Sequence, residues 1–232
     1  MKNKIIYINL FLFVTLIMTS CKQETSPDKM TQDKKPKIFN TLDEASKNAK
    51  SDLQEIMKLN KDIKLNIEPK ELEQSNPEGS VKHYLVDFNK FVSKDSLRNL
   101  KDISNDEGVT IVPFVYNKRV IATASINKVQ SGWTVGGLFN NRITSDLNKV
   151  KQIQYQMQNS QINYFEIPNI DAHVYQVTAD TSVRYFSDYG NEFRIEKEAS
   201  FSELARALRK DAVEFQRKFG KELKEKEKKL VK

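Results

Sequence analysis

Three strand-like segments that follow one another with only tight turns between them restrict the fold more than any other feature. They comprise residues 109–116, 120–126 and 133–139. Each is rich in β-branched or aromatic residues or alternates apolar with polar side chains, and Asn117-Lys118 and Gln130-Ser131-Gly132 supply the turns. The pattern predicts a three-stranded antiparallel meander. Pro113 indicates that the first strand lies at a sheet edge or contains a bulge.

A second group of strand-like segments lies toward the C-terminus. It comprises residues 162–167, 172–178, 182–187 and 192–196. Asp180-Thr181 and Tyr189-Gly190-Asn191 are turn residues, so we predict that the last three of these segments form another meander. The residues before the first meander show a mixed pattern of strand, loop and helix signals. It predicts a strand at 63–67, a loop at 71–80, strand character at 82–92 and a short helix at 95–103.

Three amphipathic helices accompany the strands. The first begins at Thr41, which forms a capping-box pattern with Glu44, and ends near Asn60. A middle helix follows the first meander, and a long C-terminal helix begins after a second Ser200–Glu203 capping pattern. Gly220 is a possible break in it. The apolar stripes are Leu42, Ala45, Ala49, Leu53 and Ile56; Ile143, Leu147, Val150, Ile153 and Met157; and Leu204, Leu208, Ala212, Phe215 and Phe219.

These elements predict an α+β fold with antiparallel meanders, an N-terminal helix, a middle helix and a long C-terminal helix. We expect residues 38–232 to form one domain whose helices pack on one side of the sheet. An internal duplication is the alternative, with residues 82–158 and 162–219 as the two copies. The sequence shows no residue-level similarity between them.

The first 21 residues form a separate segment with the features of an export signal. Lys2 and Lys4 precede an apolar run, residues 5–18, that is too short to span a bilayer core but has the length of a signal-peptide core. The run ends in Met18-Thr19-Ser20-Cys21. This ending resembles the lipobox of bacterial lipoproteins, although the lipobox usually has Leu where this chain has Met18. The resemblance covers only residues 1–21 and implies that residues 1–20 are removed and that Cys21 carries acyl chains.

The lipoprotein interpretation places the protein in the cell envelope. Residues 21–37 are polar and carry two prolines, so we predict a flexible tether between lipid and domain. Lys22, rather than Asp, follows the cysteine, which by the same resemblance favours the outer membrane; it does not distinguish the periplasmic from the surface face. Ordinary secretion and an uncleaved anchor are the alternatives. Cys21 is the only cysteine, so an internal disulfide is excluded.

The formal net charge of +7 would suit nucleic acid, but export argues against that partner. Acidic head groups or other envelope polymers are better matched to an exported basic protein. The C-terminal run of lysine and glutamate has mixed signs, which indicates a solvated helix end rather than a polyanion site.

No motif for catalysis, for a metal or for a cofactor is recognisable. His83 and His173 lie on predicted strands far apart in sequence, without a HExxH or Cys/His cluster, so we expect isolated structural or surface histidines. Ser131-Gly132 has no nucleophile-elbow pattern around it. The acidic loop at 102–108 lacks the EF-hand spacing of glycine and glutamate. We predict no cofactor.

Aromatic residues are the strongest indication of a binding surface. Arg184, Tyr185 and Tyr189 crowd one predicted hairpin together with two phenylalanines, and Trp133 is the sole tryptophan. Tyr, Trp and Arg are favoured at recognition surfaces because they combine contact area with a polar group. Core packing is the alternative interpretation.

The sequence therefore favours a lipid-anchored envelope protein with a non-catalytic binding or assembly domain. Two alternatives stay open: an exported hydrolase of envelope or extracellular polymer, and an accessory or inhibitor subunit of an exported enzyme. A hydrolase would need a cleft holding at least two acidic or histidine side chains with shifted pKa values, and His83 and His173 are the first residues to inspect.

Overall fold

The computed structural model describes residues 36–59, 67–94, 96–138, 141–180 and 182–230, with the side chains of the last helix described as far as Glu222. Five α-helices lie within these residues: α1 Leu42–Leu59, α2 Pro69–Gln74, α3 Phe88–Ser93, α4 Asn141–Gln154 and α5 Phe201–Leu230. The eight strands are β1 Asn76–Pro77, β2 Val81–Val86, β3 Ser104–Tyr116, β4 Arg119–Val129, β5 Gly132–Leu138, β6 Ser160–Ile167, β7 Ala172–Ala179 and β8 Ser182–Phe186. The predicted α+β class is confirmed, with its N-terminal, middle and long C-terminal helices.

One sheet contains all eight strands, in the order β5-β4-β3-β2-β6-β7-β8, with β1 paired to β3. Every pairing is antiparallel except that of β2 with β6. The first predicted meander is confirmed as β3-β4-β5, and Asn117 and Lys118 form its first turn with φ of 49° and 61°. Two positive φ values in succession match the strand twist of a two-residue hairpin.

The predicted edge position of Pro113 is wrong, because β3 lies inside the sheet between β4 and β2. The Pro113 carbonyl accepts a hydrogen bond from the Glu78 N–H at 3.0 Å. The Pro113 nitrogen faces the same side, toward the connection between β1 and β2. No N–H is needed there to pair with a neighbouring strand. The prediction offered a bulge as the alternative, and a shift in register does occur next to Pro113, between Phe114 and Val115.

Helices cover both faces of the sheet, so the expectation of helices on one side is wrong. Consecutive residues Tyr164 and Phe165 on β6 are both fully buried and therefore pack on opposite faces. Tyr164 packs in the cluster that contains Leu147 of α4, whereas Phe165 packs with Leu208 of α5. Helix α1 covers the β3-β4-β5 end of the α5 face. Among the helices that the structure describes, only the middle helix α4 packs on the opposite face.

The N-terminal helix forms as its capping pattern predicts. The Glu44 N–H donates to Thr41 Oγ1 at 3.1 Å, and the Glu44 carboxylate accepts from the Asn40 N–H at 3.0 Å. The helix ends at Leu59, close to the predicted end. The predicted strand at 63–67 lies largely outside the described residues, and Ile67, which is described, belongs to no strand.

Predictions for residues 71–103 are partly wrong because two short helices interrupt the region. Pro69 opens α2, which extends into the predicted loop and whose Leu72 is fully buried. Asp87 ends the strand β2 and caps α3 by accepting from the Lys90 N–H at 3.0 Å. Of the helix predicted at 95–103, only a 3₁₀ turn at Lys101–Ile103 is present.

The second meander has fewer strands than predicted. β6, β7 and β8 are confirmed, but residues 192–196 form no strand, and Ile195 instead packs into the core beside α4. A single bridge between Ala199 and Tyr185 covers β8 before the last helix begins. Gly220 does not interrupt α5. The duplication stays a prediction. Its two proposed copies, residues 82–158 and 162–219, meet at the parallel pair of β2 with β6.

Candidate functional site

Strand register brings the two histidines together on the α4 face of the sheet. Glu166 of β6 lies opposite His173 of β7, and Tyr164 lies opposite Tyr175. His83 of β2 is the parallel partner of Tyr164 on its other side. Because side chains two residues apart share a face, all five project toward α4. The expectation of isolated histidines is wrong, since both rings contact Tyr164, with centroids 5.0 Å and 5.7 Å away.

His83 and Glu166 form the first half of this polar network. His83 Nε2 lies 2.9 Å from Glu166 Oε2, and the His83 side chain is only 13% exposed. The hydrogen bond from His83 lowers the pKa of the Glu166 carboxyl, which burial partly opposes. Glu166 is therefore ionised near neutral pH, and its side chain is 30% exposed.

Tyr164, His173 and Asp171 form the second half. The Tyr164 hydroxyl contacts His173 Nδ1, and His173 Nε2 lies 3.3 Å from Asp171 Oδ1. Burial raises the pKa of Tyr164, so its hydroxyl keeps its proton and donates. In the neutral imidazole Nδ1 then accepts, and the remaining proton on Nε2 is donated to Asp171.

Arg142 joins this network to two neighbouring segments. It lies in the first turn of α4 and donates to Asp171 Oδ2 at 3.1 Å and to Asp188 Oδ1 at 3.0 Å. Desolvation raises the pKa of the Asp171 carboxyl, but the hydrogen bond from His173 and the charge of Arg142 outweigh it and lower the pKa. The helix start, the β6–β7 turn and the segment after β8 are thereby held together.

Asp146 is the least solvated acid of the network. It lies one helical turn beyond Arg142, is 5% exposed, and accepts from the Tyr175 hydroxyl at 3.3 Å. Burial, and then the negative charge of Asp188, raise the pKa of Asp146 to about 6. Burial also raises the pKa of Tyr175.

Most polar side chains of this network bond to one another and are not accessible to a substrate. Tyr164 and Tyr175 are fully buried with raised pKa values, so neither is an activated nucleophile. The carboxylates of Glu166, Asp171 and Asp188 face solvent, with side chains 30%, 83% and 34% exposed. Within the described part of the chain, no group of three or more His, Cys, Asp and Glu side chains is placed to hold a metal ion.

The four predicted binding residues do not form one surface. Trp133 lies on β5, at one edge of the sheet, whereas Arg184 and Tyr185 lie on β8, at the other. Tyr185 is 6% exposed and its hydroxyl accepts from Gln176 Nε2 at 3.0 Å. Tyr189 packs against the same core cluster and donates to a carboxylate of α5. Arg184 is the most exposed of the hairpin group, beside Glu198 at 3.7 Å. Cys21 lies outside the described residues.

An apolar groove lies between α1 and the edge strand β5, beside Phe39. Its volume is about 310 Å³, at the lower end of the range for small-molecule sites. Ala49, Leu53 and Ala124 form a buried floor. Ile56 and Leu138 are 37% and 41% exposed at its rim. The groove therefore offers aliphatic surface that solvent reaches.

Exposed apolar residues concentrate along this α1–β5 edge. Besides the two rim residues, Ile38 is 52% exposed, Leu59 is 73% exposed and Val129 is 36% exposed. The incoming chain runs beside this edge, because Phe39 pairs with Trp133 through two N–H to carbonyl hydrogen bonds of 2.8 Å.

The sequence predicted neither the polar network nor the groove, and the reason is the same for both. The polar network has no spacing motif in the sequence, because three strands, a turn and a helix contribute to it. The residues without such a signal are Tyr164, Glu166, Asp171, Arg142 and Asp146. The only available signal was two histidines on predicted strands. The groove depends on which strand becomes the sheet edge, and the strand pattern does not give that order.

The comparisons with known proteins add no relative. Among the described residues, the helices lack the length and apolar character needed to cross a bilayer. No protein-family model matches the chain, and neither do the curated proteins or the solved structures with which it was compared.

Proposed function

We propose that the protein is a lipid-anchored protein of the bacterial cell envelope, held through acyl chains on Cys21, whose domain is a non-catalytic binding or assembly module. One observation carries the proposal: the exposed apolar groove lies on the edge where the N-terminal segment joins the domain, with Pro36 and Lys37 in its lining. A lipid anchor on that segment would tether the domain to the membrane from this edge. The residue after the cysteine, Lys22, supports the outer membrane as the location.

The polar network supports a binding role better than a catalytic one. Its tyrosines are buried and protonated, and its histidines are 13% and 8% exposed and already hydrogen-bonded or paired with carboxylates. A buried network of hydrogen bonds and ion pairs rigidifies a fold, whereas a general base must reach a substrate proton.

An exported hydrolase is the second candidate, favoured by the partly exposed Glu166 carboxylate beside two histidines. Its test is release of reducing sugar from isolated envelope polysaccharide by the purified protein. Release that disappears in Glu166→Gln, but persists in Glu55→Gln on the exposed side of α1, would support the hydrolase. No release by the wild-type protein would refute the hydrolase for these polysaccharides.

The experiment that tests the anchor compares the intact protein with Cys21→Ala in cells labelled with a fatty-acid probe. We expect label and membrane association in the intact protein only. Protease treatment of whole cells then distinguishes the surface face from the periplasmic face. Equal labelling and equal membrane association of the two proteins would refute the lipid anchor.

A further inference from the structure

We propose that the α1–β5 groove is an acyl-chain site, and that its occupant is an acyl chain carried by Cys21 of the same molecule. This inference rests on the proposed lipid anchor. It adds that the anchor has two alternative positions, the bilayer and the groove.

The groove has the chemistry of an alkyl site. Most of its lining is formed by aliphatic side chains and by the backbone of two glycines: Ala49, Leu53, Ile56, Ala124, Val135, Gly136, Gly137 and Leu138. Lys37, Asn48, Asp52 and Thr134 are the polar lining residues. Lys37 Nζ already donates to Asn48 Oδ1 at 3.3 Å. An unbranched alkyl chain asks for no hydrogen bonds, and the floor offers no side-chain donors.

The direction and length of the N-terminal segment allow Cys21 to reach this groove. Phe39 pairs antiparallel with Trp133, so the described residues 36–38 run in the direction of Leu138, along the groove. Residues 22–35 separate Cys21 from Pro36. Fourteen residues reach at most roughly 46–50 Å at 3.3–3.6 Å per residue. The lining residues of α1, from Asn48 to Ile56, span about 12 Å of helix at 1.5 Å per residue. The linking segment is therefore long enough to return Cys21 to any point of the groove.

The linking segment itself is a poor occupant. Residues 22–35 read KQETSPDKMTQDKK, in which Met30 is the only large apolar side chain. Filling the groove with this peptide would bury charged side chains against aliphatic carbon, which is unfavourable. The apolar group that the segment carries is the lipid on Cys21.

Tethering also favours the molecule's own acyl chain over a free one. A ligand joined by a short flexible linker has an effective concentration of order millimolar. A free fatty acid at micromolar concentration would therefore compete poorly with it. Removing Cys21 leaves the groove open to free fatty acid, which gives the inference a reciprocal test.

The first experiment labels cells with a photoactivatable fatty acid, irradiates them, and maps crosslinks in the purified protein by mass spectrometry. We expect crosslinks from the Cys21 lipopeptide to groove residues such as Leu53, Ile56 and Leu138. Ile56→Asp and Leu138→Asp should each lower the crosslink yield at least tenfold without changing the amount of label. Val213→Asp is the matched control, because Val213 is 46% exposed on α5, outside the groove lining, and it should change neither.

The second experiment uses Trp133 as a reporter, because it is the sole tryptophan and packs against the groove's core cluster. Micromolar brominated fatty acid should quench Trp133 in the Cys21→Ala protein. The quenching should be at least tenfold weaker in the lipidated protein. Ile56→Asp in the Cys21→Ala background should abolish it, and Val213→Asp should not.

The outcomes separate the two proposals. Absence of any fatty-acid label refutes the proposed anchor, and the inference falls with it. Normal label with crosslinks to phospholipid or to another protein only, or equal quenching with and without Cys21, refutes the inference and leaves the anchor standing.

Discussion

Replacing Asp146 by Asn should stabilise the protein at neutral and alkaline pH. Asp146 is 5% exposed, and burial raises its pKa from 3.8 to about 6. Between these pH values the unfolded chain has released a proton that the folded protein keeps. Stability therefore falls as the pH rises through this range, and the penalty is complete above the folded pKa.

The size of the effect follows from the shift. Two units of pKa correspond to about 3 kcal/mol at 1.36 kcal/mol per unit, and we take this as an upper limit because local rearrangement relieves part of the penalty. Asn keeps an oxygen that accepts from the Tyr175 hydroxyl but carries no charge. We therefore expect Asp146→Asn to exceed the wild type in free energy of unfolding by about 1–3 kcal/mol at pH 8, and by much less at pH 4.

Urea unfolding of protein purified from membranes in mild detergent, followed by Trp133 fluorescence at pH 4, 6 and 8, measures this difference. Glu55→Gln, on the exposed side of α1, controls for the loss of one negative charge and should show no comparable gain. If Asp146→Asn differs from the wild type by the same amount at all three pH values, the assignment of Asp146 as a penalised buried acid is wrong.

Three further changes test other parts of the structure. Glu166→Gln should destabilise the protein at pH 7, because the His83 contact lowers the pKa of Glu166; the difference in urea midpoint should shrink as the pH falls below the glutamate range, and a constant difference would contradict this. Gly132→Ala should break the Phe39 bridge, since the new Cβ would lie 2.2 Å from the Phe39 carbonyl at a φ of 151°, and a shift in tryptophan emission should report it; an unchanged spectrum and midpoint would refute the close approach. Leu208→Ala, fully buried in α5, should cost about 2–5 kcal/mol in the same urea assay, and a loss below 1 kcal/mol would show that α5 packs less tightly than described.

The fold was predictable where periodicity and local capping determine it. The stripe from Leu42 to Ile56 and the Thr41–Glu44 pair determine α1, and the two positive-φ residues Asn117 and Lys118 make the β3–β4 hairpin. Helices α2 and α3 were missed because each has only 6 residues, too few for a stripe to show. Their signals were local: Pro69 at a helix start and Asp87 three residues before Lys90.

The candidate sites were much less predictable, because they depend on pairing between distant strands. Nothing in the sequence around His83 indicates that Tyr164 will be its neighbour, and the two residues are joined only by the parallel pairing of β2 with β6. The same ordering puts Trp133 and Arg184 at opposite edges and turns Tyr185 inward. Aromatic crowding in one hairpin was therefore a signal of core packing for Tyr185.

The parallel pair of β2 and β6 also has a consequence for how the chain folds. Hairpins such as β3–β4 close over a few residues, whereas pairing Lys82 with Asn163 must close a loop of about 80 residues. Non-local pairing of this kind slows folding, since its entropy is lost before its contacts form. Each meander has the local contacts to assemble early, so we expect the pairing of β2 with β6, which joins the two halves of the sheet, to be the slow step. Until that step, the edges of both strands are open to pairing with other chains. An exported protein of this fold would therefore be most prone to aggregation before the two halves have met.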